Sequence, residues 1–380
     1  MSGWSLLFWI CLGLLVYVYL GYPVLCRLLA GLLRRQPRTE FHQPRVTICI
    51  AAYNEADVIV ATLLNKLALE YPAELLEILV VSDESEDGTD ELVRQLDEPR
   101  IKLFRQSPRA GKTAALNLVL PHATGEIIVF SDANSLYALD ALRELLAPFA
   151  DPEVGYVTGR MVYLAADGSL TGEGCSAYMR YENVLRDWET RIGSVVGVDG
   201  GIDAVRRELY QPMRPDQLPD FVLPLTVRQQ GYRVVYRAEA LLYEEALAEA
   251  EDEFRMRVRV GLRAWHALKD KALLLNPFRY GLFAWQLFSH KVLRYLAPLF
   301  QLGALAANLA LLGDSRFWWA VLGAQAGFYL LAGFGHLRRR HHLPTLVMFC
   351  YYLCVINSAA SVALIRFLRG QKQVTWQPRV

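Results

Sequence analysis

Residues 4–25 carry no charged side chain, and a run of that length and apolarity has one comfortable solvent, the interior of a bilayer. As a helix rising 1.5 Å per residue it spans about 33 Å, the thickness of the hydrocarbon core. No basic residue precedes the run and no small-residue cleavage pattern follows it, which argues against a removable signal peptide. Arg27, Arg34, Arg35 and Arg38 come directly after it, and positive flanks stay in the cytoplasm, so this helix is expected to run from outside to inside. Three further apolar runs, 292–312, 317–334 and 346–365, close the chain. Arg338, Arg339, Arg340, His341 and His342 separate the last two and are expected on the cytoplasmic side. Four simple spans would then put Arg366, Arg369, Lys372 and Arg379 outside, against the same tendency. Asn357, Ser358 and Ser361 within the last run suggest instead a segment that is re-entrant or packed against partners. Residues 278–290 are aromatic-rich and too short to cross. They read either as an interfacial helix, with Phe278, Leu282, Phe283 and Trp285 towards lipid, or as an ordinary connection.

Between these ends, from Arg34 to Lys271, the chain is charged. Forty Lys and Arg against 39 Asp and Glu leave a net charge of +1, so nothing in the balance draws nucleic acid. The six cysteines lack the spacing and histidine company of a zinc site and are expected as reduced thiols. Short β-branched strands alternate with helical stretches: strands at 46–50, 77–81, 101–104 and 126–130, with helices after the first two. This alternation predicts a mainly parallel sheet, whose ligands gather at the carboxyl ends of the strands. The residues placed there are Ala51, Ala52, Tyr53, Asn54 and Glu55 after the first strand, residues 82–89 after the second, and 131–135 after the fourth. Any one of these segments alone is equally well a cap or a turn. No Gly-x-Gly-x-x-Gly follows the first strand, which excludes a dinucleotide-dependent oxidoreductase.

Taken in order, Ala-Tyr-Asn-Glu at 52–55, Ser-Asp-Glu-Ser-Glu-Asp-Gly-Thr at 82–89, Gly-Lys-Thr-Ala-Ala-Leu-Asn at 111–117 and Asp-Ala-Asn at 132–134 resemble the inverting family 2 glycosyltransferases with a GT-A fold. The resemblance covers about 46–265, and apolar helices on both sides are similar to those of processive polysaccharide synthases. It implies an α/β, Rossmann-like nucleotide-sugar domain flanked by transmembrane helices. It also implies a nucleotide-sugar donor, most simply a UDP-sugar, and a divalent cation, Mg²⁺ or Mn²⁺. Asp132 and Asn134 stand where the family binds the metal, with Asp the stronger ligand. Asp83 matches the position that reads the base; Ala52, Tyr53 and Glu55 match the nucleotide pocket. Lys112, with Arg109 nearby, matches a phosphate or sugar contact. Asp220 matches the general base, with Pro219 in place of the usual preceding acid and Asp216 as competitor. Residues 199–207, opening Asp-Gly-Gly, are similar to the acceptor-side segment. Arg257 keeps the arginine of the synthases' Gln-x-x-Arg-Trp motif, whose Gln and Trp are missing here.

The expected division is a first transmembrane helix at 1–26, the GT-A domain at 40–270, an interfacial helix at 277–290, further membrane helices at 291–366 and a tail at 367–380. The expected partners are the donor, a growing glycan or a polyprenyl-linked lipid as acceptor, membrane lipids and subunits of a secretion complex. An inactive nucleotide-binding scaffold is the alternative from another class. The Ala-, Leu- and Arg-rich composition points to a bacterial inner membrane with a cytoplasmic catalytic domain.

Overall fold

The computed structural model describes residues 2–164, 170–245, 250–339 and 343–373. Arg340, His341, His342 and Arg379 lie outside the described residues. The chain opens with α1 (Gly3–Val16), a π-helical turn and α2 (Tyr22–Leu33), one continuous rod. The α/β domain follows as β1 (Val46–Ala52), α3 (Ala56–Leu67), β2 (Leu76–Asp83), α4 (Thr89–Gln95), β3 (Ile101–Gln106), α5 (Lys112–Val119), β4 (Ile127–Asp132), β5 (Leu136–Tyr137), α6 (Ala141–Leu146), β6 (Val154–Leu164), α7 (Leu170–Ile192), β7 (Ile202–Arg206), α8 (Pro219–Gln229), β8 (Arg233–Glu245) and α9 (Ala250–Asp270). It closes with α10 (Pro277–Tyr280), α11 (Leu282–Leu287), α12 (Leu293–Ala310), α13 (Arg316–Leu337) and α14 (Thr345–Leu368).

The eight strands form one sheet in the order β3-β2-β1-β4-β7-β6-β8-β5. The first four are mutually parallel; β7 runs antiparallel between β4 and β6. All seven residues of β1 are buried, which explains why the strand reads as a continuous apolar run rather than an alternating one. Strand order reverses between β1 and β4, so the crevice that such a reversal opens lies beyond Ala52 and Asp132. Two apolar layers sandwich the sheet. One packs α3 and α6, centred on Ile59 and Leu142; the other packs α5, α8 and α9, and takes in Phe283 and Leu287 of α11.

That last contact corrects the expected interfacial helix. Residues 282–310 form one continuous helix through a π-helical turn at Phe288–Val292, and Phe283 faces the domain core instead of lipid. Likewise the first helix continues to Leu33, because its lower end packs Tyr22, Cys26 and Ala30 against Leu185 and Ile192 of α7. Among the described residues four helices are long and apolar enough to cross a membrane. The last of them is α14. It lies alongside α9, with Tyr352 bonded to Glu253, Ala363 against Gly261 and Phe367 stacked on Trp265. Beyond it the Gln371 carbonyl meets His266 at 2.8 Å, and Lys372 pairs with Asp216 at 2.5 Å. Residues 371 and 372 therefore pack against the α/β domain. The five cysteines with described side chains are free thiols.

Candidate active site

Two loops at the strand ends clamp each other. Asn54 adopts a left-handed backbone; its N–H donates to Ser85 Oγ at 3.0 Å and its Oδ1 accepts from the Glu86 N–H at 2.9 Å. The N–H groups of Glu55 and Ala56 donate to Thr89 Oγ1 and Asp87 Oδ2, so the acidic loop after β2 caps the amino end of α3. Ala52 is fully buried at the end of β1, and the Tyr53 ring lies under the Arg109 guanidinium, 3.4 Å from its centroid.

Asp83 is fully buried. Its carboxylate accepts from the N–H groups of Ala110 and Gly111 at 2.9 and 3.0 Å and from Gln106, and Arg109 lies 3.6 Å away. Both oxygens are thus engaged in shaping the loop before α5, with no edge presented to a base. Gly111, at φ 90°, turns that loop into the helix and delivers Lys112 to the crevice.

Lys112 Nζ donates to Asp132 Oδ1 at 2.6 Å and lies 3.7 Å from Asp220 Oδ1. This trio joins α5, the end of β4 and the first turn of α8. Asp132 and Asp220 keep 35% and 27% of their side-chain surface exposed, which leaves both accessible from the crevice. Burial opposes the charge on Lys112, yet the carboxylates of Asp132 and Asp220 hold its ammonium above the ordinary lysine value. Burial pushes the Asp220 carboxyl up; Lys112 pulls it back, Asp132 adds to the rise, and the net result lies above the usual aspartate range.

Pro219 opens α8 with no N–H to waste, and Asp220 follows in the first turn. The same helix start is tied to α5. Thr113 Oγ1 donates to the Gln217 carbonyl at 2.8 Å, and Asn117 Nδ2 donates to the Met213 carbonyl at 2.6 Å. So the Gly-Lys-Thr-Ala-Ala-Leu-Asn segment does two jobs: its lysine meets the carboxylates, and its Thr and Asn hold the loop that presents one of them. Gly200, at φ 90°, lies against Asp220; a Cβ there would meet Asp220 Cγ and Oδ2 at 2.6 Å. Asp216 is not in this cluster, since its carboxylate pairs with Arg214 and Lys372.

Asn134 Nδ2 donates to Glu244 Oε1 at 3.1 Å, leaving its own Oδ1 as a hard oxygen donor near Asp132. Asp132 and Asn134 together offer carboxylate and amide oxygens, the donor types that suit Mg²⁺ or Mn²⁺ with phosphates completing the shell. Among the described residues no three His, Cys, Asp or Glu side chains converge as a self-sufficient metal cage.

Arg257 has Glu253 at 2.6 Å, Tyr352 and the ring of Tyr178 among its partners, in the seam between α9, α7 and α14. Arg263, nearly two turns on, is the α9 arginine that reaches the cluster, donating to Thr113 Oγ1 at 3.3 Å and to the Gln217 carbonyl. The sequence reading passed over Asp203 as well. This strand carboxyl is buried, and burial together with the Asp220 charge pushes it up to about 8. A lone Asp inside Ile-Asp-Ala-Val was its available signal.

A parallel half-sheet with an acid–lysine cluster at its strand-order reversal, flanked by apolar helices, defines a GT-A glycosyltransferase architecture. Residues 47–210 match the family model for glycosyl transferase family 2, and this region is a family 2 glycosyltransferase domain. The chain is 33% identical over 169 residues to a beta-monoglucosyldiacylglycerol synthase of Trichormus variabilis, covering 43% of this chain and 36% of that one. It is 27% identical over 204 residues to a poly-beta-1,6-N-acetyl-D-glucosamine synthase of Staphylococcus aureus, covering 52% and 49%. The chain thus spans about a third to a half of the length of these curated relatives. A mannosyltransferase from Pyrobaculum calidifontis, solved with GDP-Man and Mn²⁺, superposes over 96% of this chain and 99% of its own, with a TM-score of 0.74 and 25% identity.

Proposed function

We propose that this chain is an inverting glycosyltransferase that moves a sugar from a nucleoside diphosphate donor to an acceptor at the cytoplasmic face of its membrane. The observation that carries the reading is the convergence of Lys112, Asp132 and Asp220 at the crevice. Asp220 accepts the proton of the attacking acceptor hydroxyl as its oxygen bonds to the anomeric carbon and the bond to the diphosphate breaks. Lys112 stands where negative charge grows on the leaving phosphates. A divalent cation held by Asp132 and Asn134 would supply Lewis-acid stabilisation of that diphosphate. Arg109, stacked on Tyr53, covers the nucleotide side of the crevice.

The resemblance implies a UDP-sugar, while the solved structure that matches nearly the whole chain holds GDP-Man. A GDP-sugar is therefore the first donor to test, with UDP-sugars beside it. The test is nucleotide release by the purified protein in lipid, with Mn²⁺ or Mg²⁺, across both panels. Metal-dependent release from one donor, abolished by chelation and by Asp132→Ala, is the expected result. Binding of donor without turnover under any condition would return the chain to the scaffold reading.

Two finer outcomes follow from the geometry. Gly200→Ala drives a methyl into Asp220 and is expected to lower kcat about 100-fold, with the donor dissociation constant unchanged. For pH, a base must be deprotonated, and Asp220 titrates above the ordinary aspartate range. The acid limb of kcat/KM accordingly lies above that range. Lys112→Met, which removes the charge that lowers Asp220, moves the limb further up; a limb that moves down contradicts the assignment.

A further inference from the structure

A cavity of about 550 Å³ lies between the end of α2, the turn after α7, the end of α8 and the start of α11, at the opposite end of α8 from Asp220. Among the described residues Arg35, Arg228 and Arg233 line it against one carboxylate, Glu153. Helix capping accounts for Arg233. Its donors go to the carbonyls of Gly193 at 2.9 Å and Thr190 at 3.2 Å, where α7 ends, and to that of Arg35 at 2.6 Å, with Asp151 3.5 Å away. The other two arginines are not so accounted for. Arg35 reaches Glu153 only at 3.5 Å, with more than half of each side chain in solvent, a contact worth little. Arg228 lies over the Phe283 ring and donates to the Gly231 carbonyl at 3.3 Å. Its Nε is buried with no hydrogen-bond partner, and no carboxylate pairs with it among the described residues. Burial and the nearby Arg35 charge pull this guanidinium below the ordinary arginine value, against Tyr280. Two like charges therefore share a half-buried space, an arrangement that a bound anion relieves.

The surroundings say which anion. Arg35 follows the end of the first candidate span, and Leu282 opens the second. Leu32 is 78% exposed three residues before Arg35, Phe278 is fully exposed two residues before Tyr280, and Leu282 on the cavity wall is 44% exposed. Water does not favour such a rim, whereas the acyl boundary of a bilayer does. We propose that the cavity holds the phosphate of an anionic phospholipid from the leaflet that faces the α/β domain, with Arg35 and Arg228 as its counter-charges and the lipid chains beside Leu32, Phe278 and Leu282. Guanidinium suits this task because its N–H groups meet two phosphate oxygens at once, and Tyr280 adds a hydroxyl donor. The lipid is here a ligand and not a reactant: Arg228 stands about 12 Å along α8 from Asp220, and no bond is made or broken. The headgroup ties α2, α8 and α11 together and fixes the height at which the domain sits on the membrane.

The experiment takes the full chain in a neutral detergent and titrates it with phosphatidylglycerol or phosphatidylcholine, and in separate arms with inorganic phosphate or glycerol 3-phosphate. Native mass spectrometry reads bound lipid, and thermal unfolding reads the stabilisation it brings. Phosphatidylglycerol is expected to bind in preference to phosphatidylcholine and to raise Tm. Its Kd should rise about tenfold in Arg35→Gln and in Arg228→Leu, and fall about threefold in Glu153→Gln, which removes the competing carboxylate. Arg35 is half exposed, so Arg35→Gln is expected to fold as the wild type does. Arg228→Leu keeps an apolar contact with Phe283, and its lipid-free unfolding temperature checks that it folds. If it unfolds early, Arg35→Gln and Glu153→Gln, with their opposite signs, decide the matter. Phosphatidylglycerol binding equal in the wild type, Arg35→Gln and Glu153→Gln overturns the site. Stabilisation by inorganic phosphate or glycerol 3-phosphate that matches phosphatidylglycerol at equal concentration overturns the lipid as its occupant.

Discussion

Asp220→Asn is expected to bind donor normally and to transfer sugar about 10²–10⁴-fold more slowly, the usual contribution of a positioned base. The amide has the shape of the carboxylate, so the contact with Gly200 and the start of α8 survive. What disappears is the ability to take the acceptor's proton. Asp216→Asn is the control: that carboxylate is held below its usual range despite burial, by Lys372 and Arg214, and faces away from the trio. It should leave kcat nearly unchanged. Single-turnover transfer with donor binding measured separately distinguishes the two variants. Equal rates in wild type and Asp220→Asn would remove Asp220 from the chemistry.

The second large effect is on stability. Glu182 and Glu189 of α7 are buried where the domain meets its apolar helices. His290 faces both, at 3.2 Å from Glu182 and 2.6 Å from Glu189; Arg294 pairs with Glu182, and the Tyr22 hydroxyl donates to Glu189 at 2.5 Å. Burial penalises the Glu182 charge, but Arg294 and His290 outweigh it and hold the carboxyl well below its usual range. Glu182→Leu leaves Arg294 buried without its carboxylate and is expected to destabilise the protein by about 3–5 kcal/mol. Glu182→Leu combined with Arg294→Met should lose less than the single change, because no uncompensated charge remains. Thermal unfolding in one detergent reads both; a double variant as unstable as the sum of the singles refutes the coupling.

This network also explains why the membrane boundary was only partly legible. The apolar runs announce helices through composition alone, and their number agrees with the four candidate spans. Two of their ends were misplaced because Arg27, His290 and Lys291 read as terminators in one dimension. In three dimensions α2 and α12 carry some of these residues into contact with α7, where carboxylates neutralise them. The tail was undecidable for the same reason: Lys372 meets Asp216, and they are far apart in sequence.

The site divides along similar lines. Asp132, Lys112 and Asp220 were legible because short-range rules place each at a strand end or a helix start, where the sheet order brings them together. That Arg263 would reach the loop before α8 was not legible, because which face of α9 meets α8 depends on packing. That Asp83 stands at the end of a strand was legible; that its oxygens would be taken by the loop before α5 was not.

By itself the sequence determined the α/β period, the apolar helices and the identity of the acidic and basic groups, since these follow from local hydrophobic pattern and turn chemistry. Only the tertiary structure decided which charges meet. Electrostatic energy depends on distance and burial, and residues such as Glu182 and Arg294, more than a hundred positions apart, acquire both only when the chain has folded.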